Sequence, residues 1–303
     1  MKVRNTIYVV IPVYNRKELT RRCLESLSKQ TYPKRVVIVI DDGSSDGTSH
    51  MIASEFPWVR LLQGGGDLYW TGAVNLGIKY ALKEANASDY VLLLNDDLVV
   101  HEQYLFNIFA AAQARANSII GSLEVMDDAP DIIINGGIEI DWISAKVVVL
   151  NRNCKVDDFP SQFVTDVSTV NGRGSLYPVS VFHDIGLFDD VHFAQCGDTE
   201  LPRRACLAGY SLVVSYDALV RTTRAQSFRT NINTSEQYRF SDFYTYFFGV
   251  RSNFRLKYRW YFAWNSARSI LSFAVFFVCD FLRISGHFLR GLFNSAKNNG
   301  KLV

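Results

Sequence analysis

The chain has 303 residues, 48% apolar and 20% charged, with a formal net charge of +2. Those fractions exclude a disordered or collagen-like chain and allow a large buried core. The charge is uneven: from Arg251 onward nine Lys or Arg face the single acid Asp280, giving the tail +8 and leaving −6 for the first 250 residues.

Lys2 and Arg4 run directly into a strand pattern, so no signal peptide is expected. Thr6 to Ile11 is β-branched and apolar and predicts a buried strand that Pro12 breaks. Leu19, Cys23 and Leu27 fall at helical spacing and place an amphipathic helix over about Arg16 to Gln30. A second apolar strand is predicted at Arg35 to Ile40, then a helix at Thr48 to Phe56. A short strand at Val59 to Leu62, a helix at Ala73 to Ala85 and a strand at Tyr90 to Leu94 follow. Continuous apolar strands alternating with helices predict an α/β, mostly parallel sheet covered on both faces.

Beyond about Ala116 the pattern loosens. Strands are expected at Ile119 to Val125, Asp131 to Ile140, Lys146 to Leu150 and Tyr210 to Val214. Helices are expected at Ser180 to Phe188 and at Asp198 to Ala208, the latter ending on Gly209 as a C′ glycine. From Tyr238 the chain reads as helical and aromatic-rich. These patterns divide it into 1–235, with halves 1–115 and 116–235, and a basic tail, 236–303.

The apolar stretch Ser269 to Cys279 is 11 residues long, bounded by Arg268 and Asp280. A membrane span needs roughly 20, so the tail is read as lying in a membrane interface through 251–301, or as packing on a partner subunit in a possible homodimer. Its basic residues are interleaved with Phe, Leu and Ile, which argues against nucleic acid. The five cysteines form no Cys-x-x-Cys pair, against a zinc site or disulfide framework and in favour of a reducing compartment.

Three strand ends collect polar residues at one sheet edge, where open α/β sheets bind ligands. Pro12-Val-Tyr14-Asn15 follows the first, Asp41-Asp42-Gly-Ser-Ser-Asp-Gly47 the second, and Asn95-Asp96-Asp97 the strand at Tyr90. Paired carboxylates at the mouth of a core strand suit a hard divalent cation carrying phosphate. A carboxylate such as Asp42 can accept from the imide N–H of uracil or thymine. Gly64-Gly65-Gly66 reads as a turn, since no Lys-Ser/Thr follows as a phosphate loop needs. His50, His101, His183 and His192 are isolated and are assigned no role.

The runs Val10-Ile-Pro-Val-Tyr-Asn-Arg16, Cys23-Leu-Glu-Ser-Leu-Ser-Lys-Gln-Thr-Tyr-Pro33 and Val39-Ile-Asp-Asp-Gly-Ser-Ser-Asp-Gly-Thr48 strongly resemble the family 2 glycosyltransferases. The block from Gly66 to Ile78, with Leu94-Asn-Asp-Asp97, resembles the rhamnosyltransferase-type branch. The resemblance covers about residues 5 to 225. It implies a GT-A (Rossmann-like) fold, a nucleotide-sugar donor, anomeric inversion and Mg²⁺ or Mn²⁺. Carried onto this sequence, it puts the pyrimidine on Asp42 between Pro12 and Tyr14, Asp96 near the ribose and the metal on Asp97, with Asp96 as a second ligand. Trp70 and Asn75 are candidate donor contacts. The base is expected in Gly197-Asp198-Thr-Glu200, with Asp198 preferred over Glu200; Asn171-Gly-Arg-Gly-Ser175 precedes it. Relatives carry a His in the segment matching Ala218 to Ser227. This chain has none there and offers Arg221 or Arg224 to the diphosphate instead.

The resemblance thus implies an inverting, metal-dependent transferase of cell-surface glycan synthesis, with dTDP-rhamnose the favoured donor and a lipid-linked glycan or polysaccharide as acceptor. Its expected place is the cytoplasmic face of a bacterial inner membrane, held peripherally. A UDP-hexose-using transferase is the near alternative. A nucleotidyltransferase is a further one, though Pro12-Val-Tyr-Asn-Arg16 is not its Gly-rich, basic loop. A non-catalytic membrane-bound scaffold completes the set.

Overall fold

The computed structural model describes residues 5–195, 197–222 and 237–299. Its first hundred residues alternate strand and helix: β1 Ile7–Val13, α1 Lys17–Ser28, β2 Arg35–Asp41, α2 Thr48–Glu55, β3 Arg60–Gln63, α3 Tyr69–Glu84 and β4 Tyr90–Leu93. The order β4-β1-β2-β3 is parallel throughout. Side chains alternate across β1, so Ile7, Val9 and Ile11 meet Cys23, Leu24 and Leu27 of α1. Tyr8 and Val10 meet Ala73, Val74 and Ile78 of α3 on the other face. Burial on both faces is why these strands read as unbroken apolar runs.

Pro12 does not break β1, which continues to Val13. The carbonyl of Val10 accepts from Leu94 and that of Val13 from Asp42, so position 12 turns towards β4. The register with β4 ends at Val10, and no ladder bond is lost at a proline there.

The second half adds β5 Leu98–Val100, α4 Tyr104–Ala114, β6 Ser118–Met126, β7 Ile133–Asn135, β8 Ile138–Ile140, β9 Val147–Val149, β10 Val164–Asp166 and β11 Ser175–Pro178. Then come α5 Val179–Ile185, α6 Glu200–Leu207 and β12 Ser211–Thr222. The sheet runs β10-β12-β6-β11-β4-β1-β2-β3, with β11 antiparallel to both neighbours. The fold is therefore mixed α/β with helices against the sheet.

The expected strand over Asp131 to Ile140 is split between β7 and β8. Gly137 there has φ +135, and a side chain at Gly136 would strike the Tyr216 hydroxyl. The expected helix at Ser180 ends early, because Gly186 takes φ +78. Asp198 lies in a 3₁₀ turn, Gly197–Thr199, and α6 starts two residues later. Gly209 takes φ +96 after α6, as a C′ glycine does.

The tail holds α7 Phe243–Phe248, α8 Leu256–Ser266 and α9 Ile270–Asn299. α9 is one helix of 30 residues, longer than the apolar stretch read from sequence. Asp280 does not end it, because that carboxylate, 2% exposed, pairs with Arg283 at 2.6 Å and Arg259 of α8 at 3.4 Å. Ile270–Ser295 is long and apolar enough to cross a membrane by length and composition. Phe262 of α8 and Phe273 and Phe276 of α9 share a core with Ile140 and Phe193, tying the tail to the sheet domain.

Candidate active site

β1, β2 and β4 end at the same edge of the sheet, and their trailing loops enclose a cavity of about 340 Å³. Of the residues singled out in the sequence, Pro12, Tyr14, Asp42, Trp70, Asp96 and Asp97 line it together. Asp42 is 5% exposed; its Oδ1 accepts from the Gly66 N–H at 2.8 Å and its Oδ2 from the Tyr69 N–H at 3.1 Å. The glycine run is a close approach to this carboxylate: a Cβ on Gly64 would lie 2.5 Å from Asp42 Oδ1, and Gly66 takes φ +95. Asp41, one residue earlier, faces the other way and caps its own loop through the Ser44 N–H.

Asp96 and Asp97 are almost fully buried and already face two arginines. Arg16 Nη1 lies 2.9 Å from Asp96 Oδ1 and 3.7 Å from Asp97 Oδ2. Arg173 Nη1 lies 3.3 Å from both Asp97 oxygens, while its Nε donates to Glu124 at 3.0 Å and its Nη2 to Thr222 at 2.5 Å. Asp96 Oδ2 is buried with no hydrogen-bond partner. Burial, opposed by Arg16 and reinforced by Asp97, pushes the Asp96 carboxyl up to about 7.

Arg173 is aimed by its flanking glycines. A side chain on Gly172 would collide with the Trp70 ring, and one on Gly174, at φ +88, with Ser122 and Tyr104. Trp70 is fixed in turn by Asn95, which accepts from its Nε1 at 3.0 Å. Asp198 sits behind the same glycine, its Oδ2 accepting from the Gly172 N–H at 3.2 Å. It does not itself line the cavity; it holds the Gly172 loop, whose neighbours Trp70 and Arg173 do. Burial raises its pKa above the ordinary carboxylate value. Glu200 is 1% exposed and committed elsewhere, to Arg204 at 2.5 Å and Asn265 at 2.8 Å. That ion pair takes Glu200 out of contention as the base.

Asn75 and Arg221 do not line the cavity either. Asn75 is buried, donating to the Phe188 carbonyl at 2.8 Å and to Asp190 at 3.0 Å, so it pins the 188–190 turn to α3. Arg221 is exposed on β12, whereas Thr222 beside it faces inward to Arg173; strand alternation turns position 221 outward. Arg224 and Cys196 lie outside the described residues. The cations that do line the cavity are Arg16, Arg173 and Arg251, with Asn253 beside them. Arg16 and Arg173 stood inside motifs quoted for other residues, Pro12 and Tyr14 in one case and the Asn171–Ser175 run in the other; a buried acid pair in need of counter-charge was the signal to look for them. Arg251 and Asn253 come from the tail, read as a packing or membrane face, though Val250-Arg-Ser-Asn253 is like an aromatic–Arg–Asn pattern of the resembled family.

Among the described residues no group of three or more His, Cys, Asp or Glu is arranged to hold a metal. Asp97 and the unpartnered oxygen of Asp96 nevertheless suit a hard cation, whose remaining ligands would have to come from a bound diphosphate.

Residues 8–157 match the family model described as Glycosyl transferase family 2. Glycosyltransferase AglE of Haloferax volcanii is 26% identical over 224 residues, covering 70% of this chain and 65% of that protein. Poly-beta-1,6-N-acetyl-D-glucosamine synthase of Staphylococcus epidermidis is 25% identical over 191 residues, 60% of this chain and 42% of that protein. The chain thus spans 65% or less of the length of both relatives. Among solved structures, S. aureus TarS in complex with UDP-GlcNAc superposes with a TM-score of 0.58 at 16% identity, over 92% of this chain and 72% of that one. Mannosyltransferase PcManGT from Pyrobaculum calidifontis, in complex with GDP-Man and Mn²⁺, gives 0.56 at 14% identity over 96% and 74%. At these identities the likeness is one of fold, and the fold is GT-A-like.

Proposed function

We propose that this chain, which carries a glycosyl transferase family 2 domain over residues 8–157, is an inverting glycosyltransferase that moves a sugar from a nucleoside diphosphate to an acceptor hydroxyl. The observation that carries this reading is the single cavity in which Asp42 and the Asp96–Asp97 pair converge; Asp198 stands behind it, bonded to the loop that carries Arg173. Asp42 keeps its lone pairs for the imide of a pyrimidine even while accepting two backbone N–H groups, and Pro12 and Tyr14 flank it. Arg16 and Arg173 balance the aspartates in the resting site and face the diphosphate when it arrives. A Mg²⁺ or Mn²⁺ bound there would be held by Asp97 and Asp96 and would neutralise the leaving nucleoside diphosphate. Asp198 takes the proton of the attacking hydroxyl; its raised pKa makes it a stronger base than an exposed carboxylate. A single base suffices, since inversion proceeds by direct displacement.

The donor we favour is dTDP-rhamnose, on the strength of the Gly66 to Ile78 block. A UDP-linked hexose is the second reading, supported by a relative named as an N-acetylglucosamine polymer synthase and by a fold neighbour solved with UDP-GlcNAc. The acceptor is a lipid-linked glycan or polysaccharide reached at the cytoplasmic membrane face; the apolar length of α9 supports that placement.

Thermal stabilisation by UDP, dTDP, GDP, CMP and ADP, each with Mn²⁺ and with EDTA, tests the reading. A rise in melting temperature with UDP or dTDP, lost in Asp97→Ala, is the expected result. Indifference to every nucleotide would overturn it.

A further inference from the structure

A second cavity, of about 310 Å³, opens between α6, α8 and the start of α9 and takes Trp142 into its lining. Its polar wall is Arg203, Arg268, Ser266 and Ser272. Arg203 is 7% exposed and Ser266 4%, yet Arg203 Nε and Ser266 Oγ have no hydrogen-bond partner. The other arginines of this corner are paired, Arg204 with Glu200 and both Arg259 and Arg283 with Asp280. Among the described residues no carboxylate pairs with Arg203 or Arg268. A buried guanidinium with an orphaned donor, beside a second guanidinium, leaves a desolvated positive site that an anion would complete. Burial holds the Arg203 pKa below its ordinary value, opposed by the Cys206 sulfur 3.9 Å from Nη1 and aided by the charge of Arg268. Its head is positioned by stacking 3.8 Å over Trp142 and by donating to the Ser266 carbonyl at 3.1 Å.

The rest of the lining is apolar: Trp142 under Arg203, with Ala263, Ala267 and Phe276. Within three residues of the lining Ser266 and Arg268 in sequence come Trp264, Ile270 and Leu271, exposed by 54%, 78% and 74%. A phosphate held at the arginines would thus have exposed apolar side chains close by on the first turn of α9. We propose that this cavity binds the phosphate headgroup of a membrane lipid, whose acyl chains lie against Ile270, Leu271 and Trp264. It is separate from the donor cavity and stands whether or not the sugar-transfer reading holds.

The test uses the full chain and a water-soluble short-chain phosphatidic acid below its micelle concentration, with inorganic phosphate as the second arm. The lipid should raise the melting temperature saturably. Arg268→Gln, at an exposed position that leaves the fold intact, should weaken the apparent affinity about tenfold through loss of one charge-assisted contact. Arg290→Gln removes the same charge from the tail outside the cavity and should leave the affinity unchanged. Asp42→Asn, in the donor cavity, should leave it unchanged as well. No saturable shift, or an equal loss in Arg268→Gln and Arg290→Gln, overturns the site. A response to inorganic phosphate as strong as that to the lipid overturns the lipid assignment.

Discussion

Replacing Asp96 by Asn should make the unliganded protein more stable, and only at neutral and higher pH. The carboxyl is 3% exposed and has one oxygen with no partner, and burial lifts it from 3.8 to about 7. A shift of about three units, at about 1.4 kcal/mol each, sets a ceiling of about 4 kcal/mol on the cost of ionising it in the folded state. The sign follows from the folded pKa lying above the unfolded one. The group's contribution to stability is complete below about pH 4 and is lost as the pH rises through about 7. Asn is neutral at every pH and keeps an oxygen for Arg16 Nη1, which bonds Asp96 at 2.9 Å. Urea unfolding at constant m-value should therefore give matching stabilities near about pH 4 and a gap of up to about 4 kcal/mol in favour of Asn near about pH 8. The same substitution should weaken nucleotide binding, because Asp96 lines the donor cavity. A gap that does not change with pH, or an Asn variant less stable at high pH, would refute the electrostatic account.

Asp198→Asn should lower kcat by about 10²- to 10⁴-fold while nucleotide binding persists, which stopped-flow turnover and calorimetry would separate. With Asp198 raised, the acid limb of kcat against pH should fall off above the ordinary carboxylate range, and activity should rise with pH across it. Glu200→Gln should leave kcat within a few-fold and instead destabilise, since it strips the partner from Arg204; denaturant midpoints check this. Arg173→Gln leaves Asp97 and Glu124 without the cation they share, with an expected loss of about 3 kcal/mol of stability, measured by the same unfolding curves. Gly64→Ala would press a methyl onto Asp42 Oδ1 and should abolish nucleotide-induced stabilisation.

What the sequence made legible follows the parallel half of the sheet. β1, β2 and β4 are buried on both faces, so apolar continuity marked them, and the polar residues at their ends marked the edge where the cavity lies. Asp42, Asp96 and Asp97 were found for that reason. Asn75 misled because a polar residue on the helix after a glycine turn is equally suited to bonding a neighbouring backbone, here at Phe188. Arg221 misled because the choice between it and Thr222 depends on strand phase beyond the register shift between Ser215 and Leu219 in β12. Arg173 was hidden by context: its role depends on two glycines that bring its backbone under Trp70 and against Ser122, a tertiary fit with no local pattern.

The tail shows how far charge patterning carries. An apolar stretch closed off by Asp280 reads as short only if that aspartate is alone. Arg259, 21 residues earlier on a different helix, neutralises it together with Arg283, and the helix runs on for 30 residues. The same helices reach the chemistry from behind: Tyr258 and Thr199 share a hydroxyl contact at 3.1 Å, and Asn265 holds Glu200 at 2.8 Å. Those residues flank Asp198 in sequence, while Arg251 and Asn253 line the donor cavity directly. The Gly197–Thr199 turn is thus held between the Gly172 loop, through Asp198, and the tail, through Tyr258. A segment that composition alone assigns to anchoring supplies, in this fold, two residues of the cavity wall and a contact to the turn that carries Asp198.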